Sequence, residues 1–120
     1  MRPMTTYIAH WRTRAEDRIQ TDTSLSTRAF TEARQLARIL GEDYGAQKVY
    51  LFGSLARENA PFKATSDIDL GVEGLSADRF YEALGELLLK STFLVDLKPL
   101  ENASDQLRRF IQKEGILLYE

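Results

Sequence analysis

Ser66-Asp67-Ile68-Asp69-Leu70-Gly71-Val72 alternates polar and apolar residues with the period of an extended strand. Strand side chains project to opposite faces in turn. Ile68, Leu70 and Val72 therefore share one face, while Asp67 and Asp69 share the other, roughly 6.6 Å apart along the chain. Two carboxylates so placed repel each other unless a cation or a hydrogen-bond donor lies between them. Alone, the pair is no more than the acidic, solvated face of a strand. Upstream, Val49-Tyr50-Leu51-Phe52 is rich in β-branched and aromatic residues and is bounded by Gly53, the pattern of a short buried strand. Downstream, Phe93-Leu94-Val95-Asp96-Leu97 forms a third strand, ended by Pro99. Asp96 has apolar neighbours on both sides, and burying a lone carboxylate is costly. Alone, it reads equally well as an aspartate held by N–H groups or lying on an edge strand.

Helical patterns surround these strands. Met4, Ile8, Trp11, Ala15 and Ile19 recur at helical spacing over residues 4–20. A stronger helix runs from Ser24 to Leu40, with Leu25, Ala29, Ala33, Leu36, Ala37 and Leu40 on one face and Thr23 or Ser24 as its cap. Gly41 to Gly45 reads as its stop and turn. Residues 54–58 begin a short helix, and Asn59 to Ser66 is a loop because Pro61 continues neither element. Ser76 caps a helix to Lys90 with Phe80, Leu84, Leu87 and Leu88 as its apolar face. Asn102 caps another to Glu114 that carries Leu107, Phe110 and Ile111. Gly115 ends that helix, and Ile116 to Tyr119 adds a terminal strand. The order predicts an α+β fold: a small mixed sheet of three to four strands with helices packed against it in two layers.

Composition narrows the function. With 43% hydrophobic and 28% charged residues the chain is ordinary for a globular domain, and 120 residues set the expectation of one core. No apolar run approaches a membrane span. The first residues hold no secretory signal pattern, and there is no cysteine, so a cytoplasmic location is the expectation. A formal charge of −2 argues against a dedicated nucleic-acid binder. The balance is uneven: residues 1–40 carry seven arginines against four acids, and residues 41–120 nine basic residues against fourteen acids. Solvated helix faces account for this, and a basic docking surface for an acidic partner is the sharper alternative. His10 has no nameable partner and reads as a surface or packing residue. Tyr50, Tyr81 and Tyr119 read as core or sheet-edge aromatics.

Chemistry enters when the pieces are taken together. Gly53-Ser54 joins a strand to a helix start, where unpaired amides and the positive dipole end attract phosphate. The Ser54 hydroxyl can serve the same oxygens, although a lone Gly-Ser is usually only a turn. If the third strand lies beside the second, Asp96 faces Asp67 and Asp69. Such a set suits Mg²⁺, a hard cation that completes its shell with water and substrate phosphates. Three carboxylates can hold two such ions, one on a triphosphate and one on an attacking oxygen. Asp96 is also placed to take the acceptor's proton.

Leu51-Phe-Gly-Ser-Leu-Ala-Arg57 with Ser66-Asp-Ile-Asp-Leu-Gly-Val72 resembles the minimal nucleotidyltransferase (MNT) family of the polymerase-β-type nucleotidyltransferase superfamily. The ending, Ile111-Gln-Lys-Glu-Gly-Ile-Leu-Leu-Tyr-Glu120, is similar to the family's C-terminus. The likeness spans about residues 24–120, which makes residues 1–22 an N-terminal helical extension and 23–120 the nucleotidyltransferase domain. Twelve residues separate Ser54 from Asp67, a longer gap than is usual in the family, and Glu58-Asn59 stands where a glycine commonly follows the arginine.

The resemblance implies ATP bound at Gly53 and Ser54, with Arg57 meeting phosphate or bracing the turn. It implies Mg²⁺ on Asp67 and Asp69 with Asp96 as third carboxylate, and inversion at the α-phosphorus with release of pyrophosphate. It further implies a helical HEPN-domain RNase toxin as partner, silenced by transfer of AMP to one of its tyrosines. Two other readings stand beside this one. An antitoxin could act only by covering its toxin, or a nucleotidyltransferase could modify a small-molecule hydroxyl such as that of an aminoglycoside.

Overall fold

The computed structural model describes residues 13–57 and 62–120. Helix α1 spans Thr13–Tyr44, and strand β1, Lys48–Phe52, follows it. Strand β2 is Ile68–Glu73, helix α2 Phe80–Lys90, strand β3 Val95–Pro99, helix α3 Asp105–Glu114 and strand β4 Ile116–Tyr119. The four strands form one mixed sheet in the order β3-β2-β1-β4. Strand β1 runs antiparallel to β2 and β4, and β2 runs parallel to β3.

One face of the sheet carries the main core. Val49, Leu51, Ile68, Leu70 and Val72 are fully buried there, as their alternation predicts. Helix α1 lays Ala29, Ala33, Leu36, Ala37 and Leu40 into the same core. Three alanines in that stripe let the helix approach the strands closely. Helix α2 adds Ala83 and Leu87. The opposite face is covered only in part. Tyr50, Leu100 and Ile111 make a second, smaller cluster, with Phe52 and Leu107 packed against it.

Several elements differ from their sequence reading. No break separates the two predicted N-terminal helices: residues 13–44 are one helix, and residues 4–12 of the first lie outside the described residues. The chain from Gln20 to Ser24 holds no glycine or proline, and its Thr, Asp and Ser residues only weaken a helix. Gly41 does not stop α1. It lies inside the helix, where a Cβ would overlap the ring of Tyr119. The stop comes at Gly45, whose φ is 77° and whose N–H donates to the Gly41 carbonyl at 3.2 Å, the bond of an αL cap.

Helix α2 begins at Phe80 after a short 3-10 turn, Ala77–Arg79, and Leu88 on it is 42% exposed while Ala83 takes the core position. Strand β3 lies two residues later than predicted and includes Pro99. As β3 pairs only with β2, its missing amide is tolerated at an edge. Helix α3 is capped by Ser104, whose hydroxyl accepts from the Leu107 amide at 3.1 Å, because Asn102 falls in the preceding 3-10 turn. Phe110 is exposed on α3. Tyr81 is exposed on α2, not in the core or at a sheet edge, whereas Tyr50 is buried and Tyr119 packs on α1. In the described part of the connecting loop, Phe62 is buried edge-on to Phe93, with ring centroids 5.4 Å apart. His10 lies outside the described residues.

Candidate active site

Topology brings the motif residues to one end of the sheet. Because β1 and β2 are antiparallel, the end of β1 lies beside the start of β2, and Phe52 pairs with Asp69. Because β3 runs parallel to β2, its start returns to the same end, and Asp69 pairs with Asp96. In-register positions on neighbouring strands are about 4.8 Å apart. The two carboxylates therefore stand side by side on the face opposite the main core. Asp67 precedes β2 and is exposed, and its neighbour Ile68 donates its amide to the Leu94 carbonyl at 2.9 Å, tying this approach to β3.

Gly53 fits against this group. Its φ of 79° lies in the left-handed region, and a Cβ there would overlap the Asp69 carboxylate. Glycine is thus required twice over, for the turn and for the approach of Asp69. The helix expected after it is only a 3-10 turn, Ser54–Ala56. Three residues align too few peptides for a helix dipole, so the dipole argument for phosphate binding falls. What remains for an anion is the Gly53–Ser54 backbone and the half-buried Ser54 side chain. Arg57 ends the turn, its N–H donating to the Ser54 carbonyl at 3.2 Å, with an exposed side chain.

The electrostatics register the crowding. Burial, then the charges of Asp96 and Asp67, push the Asp69 pKa up to about 6, and Lys98 works against them. Lys98 is a site residue absent from the sequence reading. It follows Asp96 by two positions, so the strand period puts it on the same face, and its Nζ lies 3.5 Å from Asp96 Oδ2. That period was the signal that could have found it.

The donor chemistry fits a hard divalent cation, since a single ammonium beside three carboxylates leaves negative charge that such an ion relieves. Among the described residues, no three His, Cys, Asp or Glu side chains are already gathered in metal-holding geometry. Asp96 instead turns one oxygen to Lys98.

Fold and site together define a nucleotidyltransferase-type scaffold: a small mixed sheet with an acidic pair in register beside a Gly-Ser turn. The family model for polymerase beta nucleotidyltransferases matches residues 34–120. The chain belongs to that family, and its fold is the polymerase-β-type nucleotidyltransferase fold.

Solved structures agree. One, provisionally described as a minimal nucleotidyltransferase, is 26% identical with a TM-score of 0.61, covering 72% of this chain and 90% of that one. A chain of a toxin–antitoxin structure with AMP-PNP is 27% identical with a TM-score of 0.60, covering 72% of each chain. A chain from the tri-AMPylated Shewanella oneidensis HEPN toxin in complex with its MNT antitoxin has a TM-score of 0.57 at 24% identity, covering 76% of this chain and 71% of that one, and shares the fold. Among curated proteins nothing matches.

Proposed function

We propose that this protein is a magnesium-dependent nucleotidyltransferase that moves AMP from ATP to a tyrosine hydroxyl of a helical HEPN-type toxin, and so acts as its antitoxin. The observation that carries the proposal is the register of Asp69 with Asp96 beside Gly53, which gathers carboxylates where a Gly-Ser turn can receive phosphate. The likeness to a toxin–antitoxin structure with AMP-PNP supports a nucleotide donor. Likeness to the MntA–HpeT complex, at 25% identity over 72% of the chain, supports a toxin partner.

In this reading the Gly53–Ser54 backbone and the Ser54 hydroxyl hold donor phosphate, with Arg57 at the end of the turn. Mg²⁺ bound by Asp67, Asp69 and Asp96 would neutralise charge on the triphosphate and on the attacking oxygen. The tyrosine oxygen attacks the α-phosphorus and forms a new P–O bond. The bond to the bridging oxygen breaks, and pyrophosphate leaves with its electron pair. Asp96 takes the tyrosine proton.

The test is incubation with Mg²⁺, α-labelled ATP and the product of the adjacent gene. Label on the partner protein, lost in Asp67→Asn, is the expected result. Label on an added aminoglycoside and never on protein would replace the toxin by a small-molecule acceptor. A stable complex without label would leave an antitoxin that acts by covering its toxin.

A further inference from the structure

Lys98 is the cation the structure places at the carboxylates. It sits on β3 opposite Gly71, a position without a side chain. A Cβ at Gly71 would meet Leu100 and Ile111 at 3.1 and 3.2 Å, so this stretch of the face is floored by α3 and the turn before it. The Lys98 ammonium lies 3.5 Å from Asp96 Oδ2. The same charge is felt at Asp69, in register with Asp96.

An isolated pair of this exposure would contribute little to stability. Its consequence is for the third carboxylate, which is engaged elsewhere while no three acids are gathered among the described residues. An ammonium and a divalent cation cannot both lie close to one Asp96 oxygen without repelling each other.

We propose that Lys98 is a positioning residue that occupies Asp96 as a resident counter-ion and is released to the donor's phosphates when metal and nucleotide enter together. This rests on the magnesium reading given above. Lys98 then disfavours the bare cation and favours its nucleotide complex, so metal and triphosphate load cooperatively. A lysine ammonium suits the exchange because it is a compact point charge on a flexible stem. The coupling is reciprocal: whatever Lys98 subtracts from binding of the bare ion, a triphosphate restores by giving the ammonium a new partner.

The test is Mg²⁺ titration of the full-length native chain, Lys98→Met, Lys98→Arg and Asp69→Asn, read as the thermal midpoint with and without AMP-PNP. Without nucleotide, Lys98→Met should reach half-saturation at lower Mg²⁺ than the native chain, on the order of threefold to tenfold. Lys98→Arg should stay near the native value. With AMP-PNP the advantage of Lys98→Met should vanish. Equal half-saturation for native and Lys98→Met without nucleotide, in a protein whose response is lost in Asp69→Asn, overturns the role of Lys98 and leaves the metal site standing. An advantage that persists undiminished with AMP-PNP overturns the exchange to phosphate. No Mg²⁺ response in the native chain removes the metal site and the proposal with it.

Discussion

Asp69 carries its carboxylate against Gly53 and beside Asp96, and the fold is strained electrostatically to keep it there. Its pKa in the fold, about 6, exceeds the ordinary value of 3.8, chiefly through burial and then through Asp96 and Asp67. The proton is therefore held more tightly folded than unfolded. The stability contributed by protonated Asp69 is fully present below 3.8 and is lost as the pH rises through about 6. Asn at this position cannot ionise. Asp69→Asn should thus be more stable than the native protein at pH 7.5 without metal, by about 1–2 kcal/mol after allowance for solvent screening. The gap should close as the pH falls toward 4. Denaturant titrations at both pH values check this, and an Asn variant less stable at pH 7.5 would show that Asp69 is not crowded. Saturating Mg²⁺ should narrow the difference by stabilising only the native protein.

Among the elements, Gly41 separates local propensity from packing most sharply. Inside a helix, Gly→Ala normally stabilises by about 1 kcal/mol. Here the added methyl would overlap Tyr119 of β4, the strand that closes one side of the sheet. Gly41→Ala should therefore destabilise the fold by roughly 1–3 kcal/mol. A gain in stability by chemical denaturation would mean that β4 does not dock on α1 as described.

The strands were legible because their alternation is strict: Ile68, Leu70 and Val72 could only share a buried face, leaving Asp69 opposite. The strand around Asp96 was legible from the apolar residues that flank it, although β3 itself begins later. Less legible were the features set by distant partners. Gly41 looks like a helix stop until Tyr119 is known to lie on it. Phe62 looks like part of a surface loop until Phe93 is seen beneath it. Leu88 looks like core until Ala83 is seen to take its place. The Gly53–Ser54 turn was found, but the helix after it could not be sized from so few residues, and Lys98 went unread though its spacing from Asp96 was informative.

At the scale of the whole molecule, α3 and the turn before it pack on part of the sheet face that also carries the acidic site. In the described part of α1, Arg28 lies over the ring of Phe93 and Arg34 over that of Phe30, while Arg38 pairs with Glu42. These arginines are engaged within the domain, in keeping with a solvated helix face. No described helix is long and apolar enough to cross a membrane.

Intact-mass spectrometry of the adjacent gene product, after incubation with ATP, Mg²⁺ and either the native chain or Asp69→Asn, reads out directly whether the carboxylates transfer the nucleotide. Size-exclusion chromatography of the same mixtures confirms that both chains bind it. The expected result is a gain of one or more AMP units with the native chain and none with Asp69→Asn, although both form the complex. An equal gain with the variant, or no gain with either in a stable complex, would contradict the claim that these carboxylates transfer the nucleotide.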